Sequence, residues 1–296
     1  MLDVIIIGSG PAGVSAALYT ARAGLSTCVF GRGPGALAKA PSIENYYGLS
    51  VPLSGPALHE TGLRQLAAVG AEYRQEEAVG LRYGEGPDMS FLVNTADGGK
   101  SNLYEARTVI LAAGNARKTV HLPGVAELEG HGVSYCAVCD GFFFKGKRVC
   151  VLGSGAYAAH EAAYLAGLAD SVVLLTGGEE ASVALPEGIG LETRPLAALE
   201  GEGRLERIRF GDGEALDMDG CFIALGTASS ADFAVKLGVL AEQNQIVTDK
   251  NQQTNVPGIF AAGDCAQGIN QVAVAVGQGA AAGLAAVRYI KQLQKA

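Results

Sequence analysis

The 296-residue sequence predicts an α/β protein made of two doubly wound, three-layer units, one inserted into the other. Two glycine-rich loops, Gly8-Ser-Gly-Pro-Ala-Gly13 and Gly153-Ser-Gly-Ala-Tyr157, each follow a short apolar run and open a small-residue helix. The chain also nearly repeats itself. The segment beginning at Val149 aligns without gaps on the one beginning at Val4, an offset of 145. Val149, Gly153, Ser154, Gly155, Ala162, Tyr164, Ala166 and Ser171 all match their counterparts. Strands ending at Gly114 and Gly226 close the two halves alike, so two Rossmann-like ββα units are expected.

Val4–Ile7 is a continuous apolar run of buried parallel-strand type. In the loop that follows, Gly8 allows a tight turn and Gly10 lets backbone approach a pyrophosphate. Gly13 lets the helix pack close, and Ser9, Pro11 and Ala12 complete the cradle at its N-terminus. A second strand ends Phe30-Gly31-Arg32, where an acid for a ribose hydroxyl is usual. This departure speaks against NAD and leaves room for FAD, with Arg32 near the adenosine half. The loop carrying Leu37 and Asn45 is placed over a flavin. Residues 72–83 and 91–95 alternate like a meander. The strand Thr108–Leu111 ends in Ala113-Gly114, beside a cofactor.

The Gly263-Asp264 turn brings an acid to a ribityl hydroxyl, and a helix from about Gln271-Val272 to Gln294 points its positive end at the flavin. That tail reads as part of the first unit. The expected division is therefore 1–117 with 246–296 as the FAD domain, and 118–245 as the inserted domain. Crossings near 115–121 and 245–250 would make a hinge.

Net charge is −8 and pI about 5.1, which excludes a nucleic-acid backbone as partner. No leader or uninterrupted membrane-spanning apolar run is evident, so a soluble, cytoplasmic protein is expected. Four of the six cysteines sit in apolar strand-like or loop contexts.

The other two, Cys136 and Cys139, are three apart and followed at once by Asp140. A backbone turn there brings their Cβ atoms within disulfide reach. One thiolate then attacks a partner's disulfide while the other resolves the mixed intermediate. No second Cys-x-x-Cys or paired-His spacing completes a zinc set, so redox chemistry is preferred to a metal. Burial of Asp140 against Phe142, Phe143 and Phe144 is expected to raise its pKa to suit proton transfer.

GSGPAG at 8–13, IENYYG at 43–48, ILAAG at 110–114, CAVCDGFFF at 136–144 and NVPGIFAAGD at 255–264 resemble the low-molecular-weight thioredoxin reductases along essentially the whole chain. The resemblance implies a homodimeric FAD enzyme whose inserted, pyridine-nucleotide-type domain carries the cysteine pair. It implies Cys139 as the flavin-proximal sulfur, Cys136 as the one that exchanges with a dithiol or disulfide protein or a small thiol, and Asp140 as acid/base.

The pattern breaks at the second loop. Where NADPH users of this family have arginines for the 2′-phosphate, this chain has Leu174-Leu-Thr-Gly-Gly-Glu-Glu180. A like-charge pair at ~4 Å and an effective dielectric of ~20 costs about 4 kcal/mol. The segment 181–194 also lacks the family's next helix, and Tyr157 would crowd or stack on a planar group. The loop Gly153, Ser154, Gly155, Ala156 and Tyr157 is therefore not expected to take NADPH in the usual way. A second FAD in that position, NADH, or electrons from ferredoxin are the remaining expectations. A redox-inactive flavin-binding sensor is the reading from a different class.

Overall fold

The computed structural model describes residues 1–86, 89–114, 120–243 and 245–295. They form two compact units, Met1–Ala116 with Ser229–Ala296, and Arg117–Ala228.

The first unit starts with β1 (Leu2–Ile7), α1 (Pro11–Arg22) and β2 (Thr27–Phe30). Helix α2 (Gly55–Ala68) follows, with the Ser54 hydroxyl accepting from the Ala57 N–H at 3.3 Å. This helix was not anticipated. Its buried positions are Gly55, His59, Gly62 and Leu66, which leaves almost no apolar stripe to read. The chain continues through β3 (Glu72–Arg74), β4 (Glu77–Tyr83), β5 (Phe91–Asp97) and β6 (Lys100–Leu111). Strand β6 begins well before Thr108 because it serves two partners. Its first half pairs antiparallel with β5, and Ala106–Leu111 pairs parallel with β1.

The second unit runs β7 (Val133–Ser134), α3 (Ala137–Asp140), a 3-10 turn (Gly141–Phe144), β8 (Arg148–Leu152), α4 (Ala156–Ala166), β9 (Ser171–Leu175) and β10 (Ile189–Glu192). Next come β11 (Leu196–Glu200), β12 (Arg207–Phe210), β13 (Ala215–Asp217) and β14 (Gly220–Ile223). A parallel sheet of order β10-β9-β8-β14-β7 carries the nucleotide-type fold, and β11-β12-β13 form an antiparallel meander. Cys150, Leu152, Leu175, Phe210 and Ile223 belong to the core between them.

The chain then returns to the first unit through α5 (Ser230–Lys236), the β15–β16 hairpin (Ala241–Glu242 and Gln245–Ile246), β17 (Ile259–Ala261) and α6 (Val272–Leu293). The return lies at Ser229, earlier than the expected 246. A capping box explains the shift. Ser229 and Asp232 satisfy each other's backbone amides and start α5, which packs against β4. Tyr83 secures the end of this helix, its hydroxyl donating to Leu237 O at 2.8 Å. The other expected crossing falls largely on 115–119, outside the described residues.

In the main sheet β3-β2-β1-β6 run parallel, β17 adds to β6, and β5-β4 extend the sheet antiparallel. Among the described residues α6 is the one helix with the length and apolarity of a membrane span. Its buried face lies on α1. A Cβ at Gly279 would stand 2.1 Å from Ala12 O, and one at Gly283 would stand 2.6 Å from Ala16 O. These two glycines, one turn apart, let the helix backbones touch. The Ser15 hydroxyl closes the seam by donating to Val276 O at 2.7 Å.

Candidate functional site

The first glycine loop is built by close packing below and open space above. Gly8 has φ +115°, and a Cβ there would lie 2.2 Å from Ala112 O; one at Gly13 would lie 1.8 Å from Gly8 O. Among the described residues nothing beyond its chain neighbours lies within 4 Å of where a Cβ of Gly10 would be, so the loop turns a bare backbone outward, as a pyrophosphate requires. Pro11 opens α1 directly behind it. Gly31 packs on Ser9, whose hydroxyl donates to Gly33 O at 3.3 Å.

Other expected residues of the first unit gather around this loop. Gly263, φ +82°, would place a Cβ 2.9 Å from that of Ala12, and its N–H donates to the Gln278 side chain at 2.8 Å. That contact sets Asp264 beside the start of α1. Ala113 N–H donates to the Ser230 hydroxyl at 3.0 Å, and Gly114 follows with φ +71°. Asn45 donates to the Gln271 side chain at 3.1 Å, next to Val272 at the start of α6. Leu37 is buried, its carbonyl against Gly55. Arg32 pairs with Glu77 at 2.9 Å and lines a cleft with Arg74, Gln75, Glu76 and Asp97.

Two side chains here had no sequence signal. His59 is buried on α2 with Nε2 3.2 Å from the Ser9 hydroxyl, and burial holds its pKa down while the contact to Ser9 partly opposes this. Glu77 is buried too, which raises its pKa against the pull of Arg32. Both contacts join positions about 45 or 50 residues apart, beyond any local motif. Buried Cys265 behaves as a packed loop thiol; its Sγ donates to Leu111 O, and burial pushes its pKa to about 11.

In the second unit Cys136 and Cys139 form a disulfide, with Cα atoms 5.3 Å apart, across the first turn of α3. Cys136 is buried and Cys139 is exposed, so the sulfur that the resemblance gives to the partner is the more covered one. Asp140 is half-buried and accepts from the Ser134 hydroxyl at 2.6 Å, and that hydroxyl in turn accepts from Cys136 N–H at 3.1 Å. The expected apolar enclosure of Asp140 is not formed. Phe142 and Phe143 are 72% and 69% exposed, and only Phe144 turns inward, edge-on to Phe222. Three consecutive residues of a tight 3-10 turn cannot share one face.

The second glycine loop differs from the first. Ser154 donates from its hydroxyl to Glu179 Oε2 at 2.5 Å. Ser182 folds back from the other side, its N–H and hydroxyl both donating to Ser154 O, at 2.8 and 3.0 Å. The Ser182 hydroxyl and Gly226 O stand 3.9 and 3.6 Å from where a Cβ of Gly155 would be. Tyr157 does not stack in this loop. Together with Ala156 it begins α4, and its ring is buried on the same face as Glu161 and Leu165, at a spacing of four.

The family description "pyridine nucleotide-disulphide oxidoreductase" matches residues 2–279. The chain belongs to that family. A thioredoxin reductase of Listeria innocua is 36% identical over 312 residues, covering 99% of this chain and 95% of the relative. Among solved structures, the atypical thioredoxin reductase TRi from Desulfovibrio vulgaris Hildenborough superposes with a TM-score of 0.92 at 43% identity, with 99% of each chain covered. A ferredoxin-flavin thioredoxin reductase from Clostridium acetobutylicum gives 0.72 at 31% identity, with 98% of each covered. This member of the family is a thioredoxin reductase homologue and a disulfide oxidoreductase, with the cysteine pair in place.

Proposed function

We propose that the protein is an FAD-dependent, thioredoxin-reductase-like enzyme that exchanges electrons between flavin and the Cys136–Cys139 pair without taking them from NADPH. FAD held at Gly8–Gly13, Asn45, Asp264 and Gln271 supplies two-electron exchange with the disulfide. Reduction breaks the Cys136–Cys139 bond with uptake of two electrons and two protons. One thiolate then attacks a partner's disulfide, forming a mixed disulfide and releasing one partner thiol. The second thiol of the pair displaces the other partner sulfur and the Cys136–Cys139 bond re-forms. Asp140, oriented by Ser134, is placed to hold the proton in transit.

The partner is a thioredoxin-type disulfide protein. Exposed Val138, Phe142 and Phe143 offer apolar contact beside the exchanging sulfurs, and a small thiol would not need that surface.

The observation that carries NADPH independence is the hydrogen bond from Ser154 to Glu179. A pyrophosphate on that loop would meet a carboxylate already bonded to its central residue. The same carboxylate opposes a second FAD there. A donor that reaches the flavin directly, of the ferredoxin class, satisfies both observations. The test is anaerobic titration of the flavin-loaded protein. Dithionite or reduced ferredoxin is expected to bleach the flavin and release two thiols, while equimolar NADPH leaves the spectrum unchanged. Rapid bleaching by NADPH would overturn the reading.

A further inference from the structure

Glu77 is a buried acid with half of its carboxylate unused. It is 6% exposed at the start of β4, and its Oε2 accepts from Arg32 at 2.9 Å. Among the described residues its Oε1 has no hydrogen-bond partner. The neighbouring Glu76 is the contrast. The Thr95 hydroxyl, Asn102 Nδ2 at 3.2 Å and the Tyr104 hydroxyl at 3.0 Å all donate to that carboxylate. A buried acceptor left unpaired is costly, so Oε1 calls for a donor from outside the chain.

The backbone around it says where that donor comes from. In a dinucleotide site an acid at the end of the second strand takes the ribose 2′-hydroxyl. Here that end is Gly31, which cannot carry an acid. A Cβ there would stand 2.4 Å from Ser9 Oγ, against the phosphate loop itself. The turn is fastened to β3 twice: Gly31 N–H donates to Arg74 O at 3.2 Å, and the Tyr73 hydroxyl donates to Gly31 O at 2.8 Å. Arg32, the next residue, then reaches across to Glu77, 45 positions later. The missing acid is therefore present, delivered from β4. Arg32 covers it, lining the cleft with Arg74, Gln75, Glu76 and Asp97 at 57% side-chain exposure, while Glu77 lies behind.

We propose that Glu77 is a specificity residue for the adenosine half of FAD: its Oε1 accepts from the ribose 2′-hydroxyl once the Arg32 side chain gives way. The inference rests on the FAD site proposed above. It supplies that site with the acid that Gly31 excludes.

The test is isothermal titration of the full-length, flavin-stripped protein with ADP, 2′-deoxy-ADP and IDP, which lacks the base amine. The parent is expected to bind ADP about tenfold more tightly than 2′-deoxy-ADP, the loss of one hydrogen bond to a charged group. IDP should bind as ADP does. Glu77→Leu removes the acceptor and leaves Arg32 solvated; it is expected to abolish the preference and to keep the parent's affinity for 2′-deoxy-ADP. Glu77→Gln, with the same shape and a weaker acceptor, should retain a preference of about threefold.

Equal binding of ADP and 2′-deoxy-ADP by the parent overturns the proposal. So does a preference that survives in Glu77→Leu, or a variant that weakens all three nucleotides alike, as a purely structural role would. A preference for ADP over IDP that Glu77→Leu abolishes puts the acceptor on the base amine and overturns it too. Should Glu77→Leu fail to fold, Glu77→Gln decides, and a preference as strong as the parent's refutes the assignment. Reloading with FAD, followed by flavin fluorescence, comes first. A parent that takes up neither FAD nor ADP fails the FAD reading itself, apart from any comparison among nucleotides.

Discussion

Ser154 and Glu179 are joined by a hydrogen bond of 2.5 Å, so the central residue of the second glycine loop is held by an acid from the strand–loop next to it. Removing only the charge, with Glu179→Gln, is expected to strengthen NAD(P)H binding by about 1 kcal/mol, roughly fivefold. That is a quarter of the about 4 kcal/mol of an unrelieved like-charge contact. Isothermal titration of the variant against the parent measures it. Equal affinities would mean that Glu179 does not face the phosphates.

The seam between α1 and α6 leaves no room for a methyl group at Gly279, since the obstructing atom is the Ala12 carbonyl and not a movable side chain. Gly279→Ala is expected to destabilise the protein by about 1–3 kcal/mol, the usual cost of overpacking. Urea denaturation reads this as a lower midpoint. Because α6 begins next to Gln271, flavin retention on gel filtration should fall with it.

Burial depresses the His59 pKa, so the folded state binds a proton there less readily than the unfolded chain, whose value is about 6.5. The stability linked to this group is present above pH about 6.5 and is lost as the pH falls from there toward the folded-state pKa. Melting temperatures from pH 7.5 to 5 should decline more for the parent than for His59→Gln. Parallel curves would show that His59 is not titrating in its buried site.

Cys28, Cys150, Cys221 and Cys265 are buried free thiols, and burial pushes Cys28 to about 12 and Cys265 to about 11. The native oxidised protein should therefore release almost no chromophore from Ellman's reagent. Reduction followed by removal of reductant should add two reactive thiols, lost in a Cys136→Ser, Cys139→Ser double variant. More than two would place one of the buried sulfurs within reach.

The strands and the first glycine loop were legible because their signals are local. An apolar run such as Val4–Ile7 and a glycine at a positive-φ turn such as Gly8 carry their reasons within a few residues. The acids of the second loop were legible in the same way, although that Glu179 reaches back to Ser154 was not. Phe142 and Phe143 were misread because residue type says apolar while the turn decides which way each ring points, and Tyr157, read as a ring facing the loop, is instead turned inward by its place in the first turn of α4. Helix α5 had a readable start in Ser229-Ser-Ala-Asp232, a capping box that places the return of the chain. His59 and Glu77 were invisible because each acts on a residue brought near only by tertiary packing.

Strand β17 pairs with β6 through Ile259 and Val109, across the whole of the inserted unit. The order of events during synthesis follows from that register. Residues 117–228 leave the ribosome as one uninterrupted piece and can close their core while the tail is still being made. The enclosing unit has to keep the β6 edge and the α1 face uncovered until residues 259–293 emerge. Nascent chains halted before β17 should then expose that edge to chaperones, and the cysteine pair is in folded surroundings before its flavin site is complete.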